Sequence, residues 1–181
     1  VERALSENHT PLGDLTASLL DPEATTTARF VARTPGRLAG TACAAEAFAQ
    51  VDPSVEVSWS LRDGAELTAG SVIGEVAGRL SPILTAERTA LNFLGHLSGI
   101  ATETARYADE AARGGSARVW DTRKTTPGLR SLEKAAVRAG GGRNHRGNLS
   151  DWILVKDNHL TGVGVTEVVR RAKDRWPGRT V

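Results

Sequence analysis

Arg118-Val119-Trp120-Asp121-Thr122-Arg123-Lys124-Thr125-Thr126-Pro127-Gly128 reads as a short strand that runs into two cations and then a turn. A helix pattern follows from about Leu129 to Ala139. The same order recurs downstream. Trp152-Ile153-Leu154-Val155 is strand-like and runs into Lys156, and a helix pattern spans about Thr166 to Trp176. Alternation of strand and helix predicts a parallel sheet or barrel. In that architecture the loops at the carboxyl ends of strands carry the chemistry. Arg123, Lys124 and Lys156 sit at those ends. A third cationic segment, Gly140-Gly141-Gly142-Arg143-Asn144-His145-Arg146, lies between them. Arginine grips carboxylate or phosphate as a bidentate fork, and lysine adds a compact point charge. Three such segments together predict a site for a small, multiply charged anion.

The first half of the chain reads differently. Thr25 to Arg33 and Arg37 to Thr41 are predicted strands around the Pro35-Gly36 turn. Cys43 to Val51 is a short helix, and Val55 to Ser60 alternates with the strand period. Arg62 to Val76 reads as turn, strand, turn, strand, similar to half of a biotinyl or lipoyl carrier domain. No lysine precedes Lys124, so the carrier lysine is missing and the likeness is one of hairpin chemistry. Pro82 to about Arg113 is helical, with Leu84, Leu91, Leu94 and Leu97 near one face. Ser81-Pro82 supplies a cap and a first-turn proline. Gly95 and Ser98-Gly99 are candidate breaks into two helices, and Gly114-Gly115 ends the segment.

Composition is that of an ordinary globular chain, 40% hydrophobic and 24% charged. The one cysteine, Cys43, excludes an internal disulfide framework and is expected to be a small buried residue. No apolar run approaches the ~20 residues of a membrane span. Val1 opens no signal-peptide pattern, so a cytoplasmic protein is expected. Residues 1–90 hold 7 Lys/Arg against 12 Asp/Glu, whereas residues 91–181 hold 16 against 9. A nucleic-acid binder can show such a basic half. Base-stacking platforms need several aromatics, however, and Trp120 alone lies near the densest cationic segment. An anionic small molecule is therefore preferred to nucleic acid. A closed barrel needs about 200 residues or more, and roughly 65 follow Ala117. With Val1 in place of Met, the expectation is part of a longer protein, with an open sheet.

Five segments in order carry a resemblance: Thr85-Ala86-Glu87-Arg88-Thr89-Ala90-Leu91-Asn92, Leu97 to Thr102, Asp121 to Gly128, Gly140 to Arg146 and Lys156-Asp157-Asn158-His159. Gly13-Asp14-Leu15-Thr16 adds to them. Together they resemble quinolinate phosphoribosyltransferase, also called carboxylating nicotinate-nucleotide pyrophosphorylase. The resemblance implies an α/β protein with an N-terminal α+β sandwich domain, assigned to residues 1–114. An incomplete α/β barrel would follow, of which residues 115–181 are the first part. It implies transfer of phosphoribosyl from phosphoribosyl pyrophosphate to quinolinate, with loss of carbon dioxide, to give nicotinate mononucleotide for NAD synthesis. It also implies Mg²⁺ accompanying the pyrophosphate, with protein ligands expected beyond Val181, and a homodimer or higher oligomer with shared sites.

Carried over by motif, Arg88 contacts quinolinate across the dimer interface. Thr122, Arg123 and Lys124 bind quinolinate and adjoining phosphates. His145 and Arg146 hold a carboxylate, and Lys156 holds quinolinate or phosphate. Lys124 and Lys156 are the catalytic candidates. Asp157, Asn158 and His159 are expected to position Lys156, His96 to pack, and His9 has no role. Three other readings remain open: a molybdenum-transport-associated homologue of the same fold, a nicotinate phosphoribosyltransferase, and a basic nucleic-acid-binding domain.

Overall fold

The computed structural model describes residues 1–181. Helix α1 (Glu2–His9) and a short 3-10 turn (Ala17–Leu19) lead into strand β1 (Thr25–Val31). Then come β2 (Gly36–Arg37), α2 (Thr41–Val51), β3 (Glu56–Trp59), β4 (Glu66–Leu67) and β5 (Val72–Arg79). Helix α3 (Leu80–Arg113) ends this half. The second half holds α4 (Arg130–Ala139), a 3-10 turn (Asp157–His159) and α5 (Val165–Arg175).

β5 is the centre of a three-stranded antiparallel sheet in the order β1-β5-β3. Thr25 pairs with Arg79 on one side of β5, and Trp59 with Gly74 on the other. The sheet buries Phe30, Ile73 and Val76 with Phe48 of α2 and Ile83, Ala86, Ala90 and Leu94 of α3. Phe30 meets Phe48 edge-on with centroids 6.0 Å apart. Burial of an aromatic pair in this geometry adds about 0.5–1.5 kcal/mol beyond its area. Asp52 closes the turn before β3. Its carboxylate accepts from the Ser54 amide at 2.9 Å and the Ser54 hydroxyl at 2.7 Å, and Arg79 Nη2 donates to its other oxygen at 2.5 Å. The Ser54 bonds, with Arg79 behind them, hold its pKa down at about 2.

Several sequence expectations are corrected here. The second predicted strand shrinks to Gly36–Arg37, and Thr41 already belongs to α2. The cause is a cap from a distance. Asp63 accepts from the Gly40 amide at 3.0 Å, and from the Thr41 amide and hydroxyl at 3.2 and 2.8 Å. Gly40, with φ of 99°, turns the chain into the helix. The two strands around Pro35-Gly36 pair not with each other but with β5 and β4. Helix α3 is one unbroken element of 34 residues, about 50 Å long at 1.5 Å per residue. Each glycine inside it costs about 1 kcal/mol of helix propensity. Packing on both sides of the Gly95–Gly99 segment offsets this, because Leu94, Leu97 and Ala101 are all buried. The helix starts at Leu80 after Arg79, so Ser81 is no cap, and Pro82 lies in the first turn, where its missing amide leaves no bond unmade. Leu84 does not join the apolar face; it is 43% exposed.

The predicted strands of the second half are only rudiments. Residues 118–121 form a single parallel bridge, Trp120 with Arg143. Residues 152–155 have one such bond, from the Ile153 amide to the Thr180 carbonyl at 2.9 Å. A ladder needs a partner along its length; residues 118–121 have the two backbone bonds of one bridge and residues 152–155 have one. The parallel direction of the bridge is nonetheless the one expected. The neighbour of 118–121 is the segment around Arg143, to which no strand was assigned from the sequence.

Helix α3 docks both halves. Beyond Leu94 it packs Leu97 and Ala101 against Ala39 and against Ala136 of α4, with Cys43, Phe93 and Leu132 around them. Cys43 is half-buried, and burial pushes its thiol up. The α3–α4 contact is close at Gly140. A Cβ there would stand 2.3 Å from the Ala101 carbonyl oxygen and 2.7 Å from Thr104 Cβ. Gly140→Ala is therefore expected to cost about 1–3 kcal/mol by overpacking. Denaturant unfolding of the full-length protein measures it; an unchanged midpoint would mean that α4 docks elsewhere.

Candidate functional site

The cations of the second half meet because one buried carboxylate ties three segments. Asp121 ends the 118–121 segment, with its side chain only 6% exposed. Lys134 Nζ donates to Asp121 Oδ1 at 2.5 Å, and the His145 amide donates to the same oxygen at 2.8 Å. Asn144 Nδ2 donates to Oδ2 at 2.6 Å. Lys134 also donates to the His145 carbonyl at 2.9 Å, and Asn144 to the Lys134 carbonyl at 2.9 Å. The backbone repeats the join: Arg143 donates to Val119 at 2.8 Å and Asp121 to Arg143 at 3.0 Å.

Around this knot lies a cleft of about 520 Å³, lined by Asp121, Thr122, Arg123, Lys124, His145, Arg146, Leu154 and Lys156. Six of the seven sequence-predicted residues are thus on one wall. The seventh, Arg88, is exposed on α3 and does not line the cleft. Arg123 Nε is buried without a hydrogen-bond partner. The Arg123 guanidinium is thus not tied to a protein acceptor at Nε. Thr122 Oγ1 accepts from the Lys124 amide at 3.1 Å, which fixes the bend that turns both cations inward.

His145 and Lys156 are held from behind. The His145 ring meets Trp152 edge-on at 4.6 Å, and Trp120 at 6.5 Å. His159 Nδ1 accepts from the Lys156 amide at 3.0 Å, while the His159 amide donates back to the Lys156 carbonyl at 2.9 Å. His159 therefore touches the Lys156 backbone rather than the cleft. His96 links helices: its Nε2 lies 3.0 Å from Glu133 Oε1. Glu133 Oε2 accepts from the Thr126 amide at 3.1 Å, so α4 also anchors the end of the cationic loop. Burial pushes the Glu133 carboxyl up, but the bonds from Thr126 and His96 outweigh it and leave it below its ordinary value. His9 contacts the Thr85 carbonyl at 3.4 Å, and Asn8 donates to Thr89 at 2.8 Å, so the N-terminal helix packs on α3.

Lys134 and Asn144 are given no role by the sequence reading, yet they build the site. Lys134 sits on α4 beside Glu133, the helix's other buried polar residue, and nothing in its spacing marks it as buried. The cleft does not fit a magnesium ion. Its one carboxylate is Asp121, and that carboxylate already accepts from Lys134, Asn144 and the His145 amide.

Two family models match the chain: "Quinolinate phosphoribosyl transferase, N-terminal domain" over residues 14–98, and the corresponding C-terminal domain over residues 100–181. They meet inside α3. The chain is 41% identical over 177 residues to quinolinate phosphoribosyltransferase [decarboxylating] 1b of Nicotiana tabacum, covering 97% of this chain and 50% of that protein. It is 44% identical over 162 residues to a probable nicotinate-nucleotide pyrophosphorylase [carboxylating] of Bacillus subtilis, covering 89% and 56%. The crystal structure of NadC from Streptococcus pyogenes superposes with a TM-score of 0.93 at 40% identity, covering 99% of this chain and 64% of that one. Human nicotinic acid phosphoribosyltransferase shares the fold more loosely, with a TM-score of 0.55 at 19% identity. The chain spans about half the length of the curated relatives it matches.

Proposed function

The chain belongs to the quinolinate phosphoribosyltransferase family, and we propose that the full-length protein joins quinolinate to phosphoribosyl pyrophosphate with decarboxylation. The observation that carries this reading is the convergence of Arg123, Lys124, His145, Arg146 and Lys156 on one cleft, with Arg123 Nε left unpartnered. Both substrates are anionic, quinolinate through two carboxylates and the co-substrate through its phosphates. The cleft supplies cations from three segments and one apolar side chain, Leu154.

In the reaction the pyridine nitrogen forms a bond to the ribosyl C1. The C1–O bond breaks, and its electron pair leaves with pyrophosphate. Charge on the leaving group and cationic character at C1 grow together, so preorganised cations near the phosphates lower the barrier. The ring is now a pyridinium, and the carboxylate beside its nitrogen leaves as carbon dioxide. The pair left on the ring carbon takes up a proton. Arg123, His145 and Arg146 hold the carboxylates in this reading, and Thr122 sets the bend. Lys124 and Lys156 stand at the reacting groups. Holding the nitrogen near C1 converts a bimolecular step into an effectively intramolecular one. Magnesium would neutralise the pyrophosphate, and it enters with that substrate rather than on this cleft's donors. Residues 1–114 serve as the covering domain and residues 115–181 as the opening of the barrel. A cytoplasmic location is part of the same proposal.

Arg123→Ala or Lys124→Ala in the full-length protein is expected to weaken quinolinate binding by about one to two decades, the loss of one charge-assisted contact of roughly 1.5–3 kcal/mol. Calorimetry on the folded variants reads this directly. Wild-type affinity in both would remove the two residues from the site and the reading with them.

Arg88 lies outside the cleft of its own chain, so we assign it to the site of a second copy in a homodimer. Mixing full-length Arg88→Ala with Lys156→Ala is then expected to restore partial activity, since one site in a mixed dimer is intact. Exchanged subunits that stay inactive would rule out shared sites.

A further inference from the structure

We propose that the buried Asp121–Lys134 pair is a positioning device that sets the backbone at His145, and so aims His145 and Arg146 at a substrate carboxylate. This rests on the reading of the cleft as the quinolinate site. The two charges grip opposite sides of one residue. Asp121 Oδ1 accepts from the His145 amide at 2.8 Å, and Lys134 Nζ donates to the His145 carbonyl at 2.9 Å. With the pair itself closed at 2.5 Å, both peptide groups flanking the His145 Cα are fixed. Asn144, the residue before, is fixed by the same two partners, donating to Asp121 Oδ2 at 2.6 Å and to the Lys134 carbonyl at 2.9 Å.

Neither charge is free to act on a ligand by itself. The side chains of Lys134 and Asp121 are 8% and 6% exposed. A buried ion pair is weak evidence for stability, because its desolvation offsets its attraction. Its value here is directional. The His145–Arg146 backbone follows a single bridge, Trp120 with Arg143, and has no sheet ladder to hold it. Lys134 comes from α4, which packs on α3 through Ala136. The aim of His145 and Arg146 is thus referred to α3, the 34-residue helix that packs against both halves. Lys134 and Asn144 also line a neighbouring polar groove with Arg130, Ser131 and Arg138 of α4, and His145 borders both it and the cleft.

The test uses the full-length enzyme and two variants, Lys134→Met and the charge-neutral double variant Asp121→Asn with Lys134→Met. Thermal midpoint and the KM values for both substrates are measured. Lys134→Met is expected to raise KM for quinolinate about 10- to 100-fold, as the carboxylate contacts of His145 and Arg146 are lost. KM for phosphoribosyl pyrophosphate is expected to stay within about twofold, since Lys124 and Lys156 are untouched. The double variant removes the uncompensated buried charge and is expected to recover the thermal midpoint. It still lacks a donor to the His145 carbonyl, so its quinolinate KM stays raised. If the single variant does not fold, the double variant alone carries the comparison. A folded variant with the wild-type quinolinate KM would overturn the proposal. So would equal rises in both KM values, which mark a general loss of structure. Wild-type enzyme that fails to saturate with quinolinate would instead refute the underlying reading of the cleft.

Discussion

Helix α3 has to satisfy two sets of neighbours along one length, and the rest of the molecule is arranged around that requirement. Its first part closes the antiparallel sheet through Ile83, Ala86, Ala90 and Leu94. Its second part carries Leu97 and Ala101, which receive α4 through Ala136. Between the two, Ser98 takes the Ala39 amide at 3.0 Å and returns a bond to its carbonyl at 3.1 Å. Thr102 takes the Arg37 amide at 2.8 Å. Ser98, which looks like part of a helix break, is where the backbone at Ala39 docks on the helix. A helix rigid over this span fixes α4, α4 fixes Lys134 and Glu133, and these fix the loops that hold the cations.

The electrostatics follow the same hierarchy. The surface ion pairs, such as Arg113 with Glu110 and Arg171 with Glu167, are exposed and contribute little. The pairs that matter have at least one buried partner. Asp121 with Lys134 and Glu133 with His96 each join elements distant in sequence. They consume the acids of the cationic segment, so Arg123, Lys124, His145, Arg146 and Lys156 face the cleft without a carboxylate partner there. Such a lining suits an anionic ligand.

The parts legible in the sequence were those with local causes. The helices Arg130–Ala139 and Val165–Arg175 and the strands β1, β3 and β5 announce themselves by periodicity. The cation segments announce themselves by residue type and by their place after strand-like runs. What stayed hidden had nonlocal causes. Asp63 caps α2 from 22 residues away, and no spacing rule points to it. Gly95 and Gly99 read as breaks because their cost is local while the packing that offsets it is not. The pairing of residues 118–121 with the segment around Arg143 was masked by glycines that belong to a tight approach, as at Gly140 and Gly142. Lys134 reads as a surface lysine on an amphipathic helix until Asp121 is seen beneath it.

The central claim is that a cleft of this composition serves a dicarboxylate and a phosphoribosyl donor. The most direct measurement is turnover by the full-length protein, with Mg²⁺ and phosphoribosyl pyrophosphate, offered quinolinate or nicotinate in parallel. The account predicts nicotinate mononucleotide from quinolinate, one carbon dioxide released for each product formed, and far slower use of nicotinate. Product from nicotinate at a comparable or greater rate, or product from quinolinate without carbon dioxide, would contradict it.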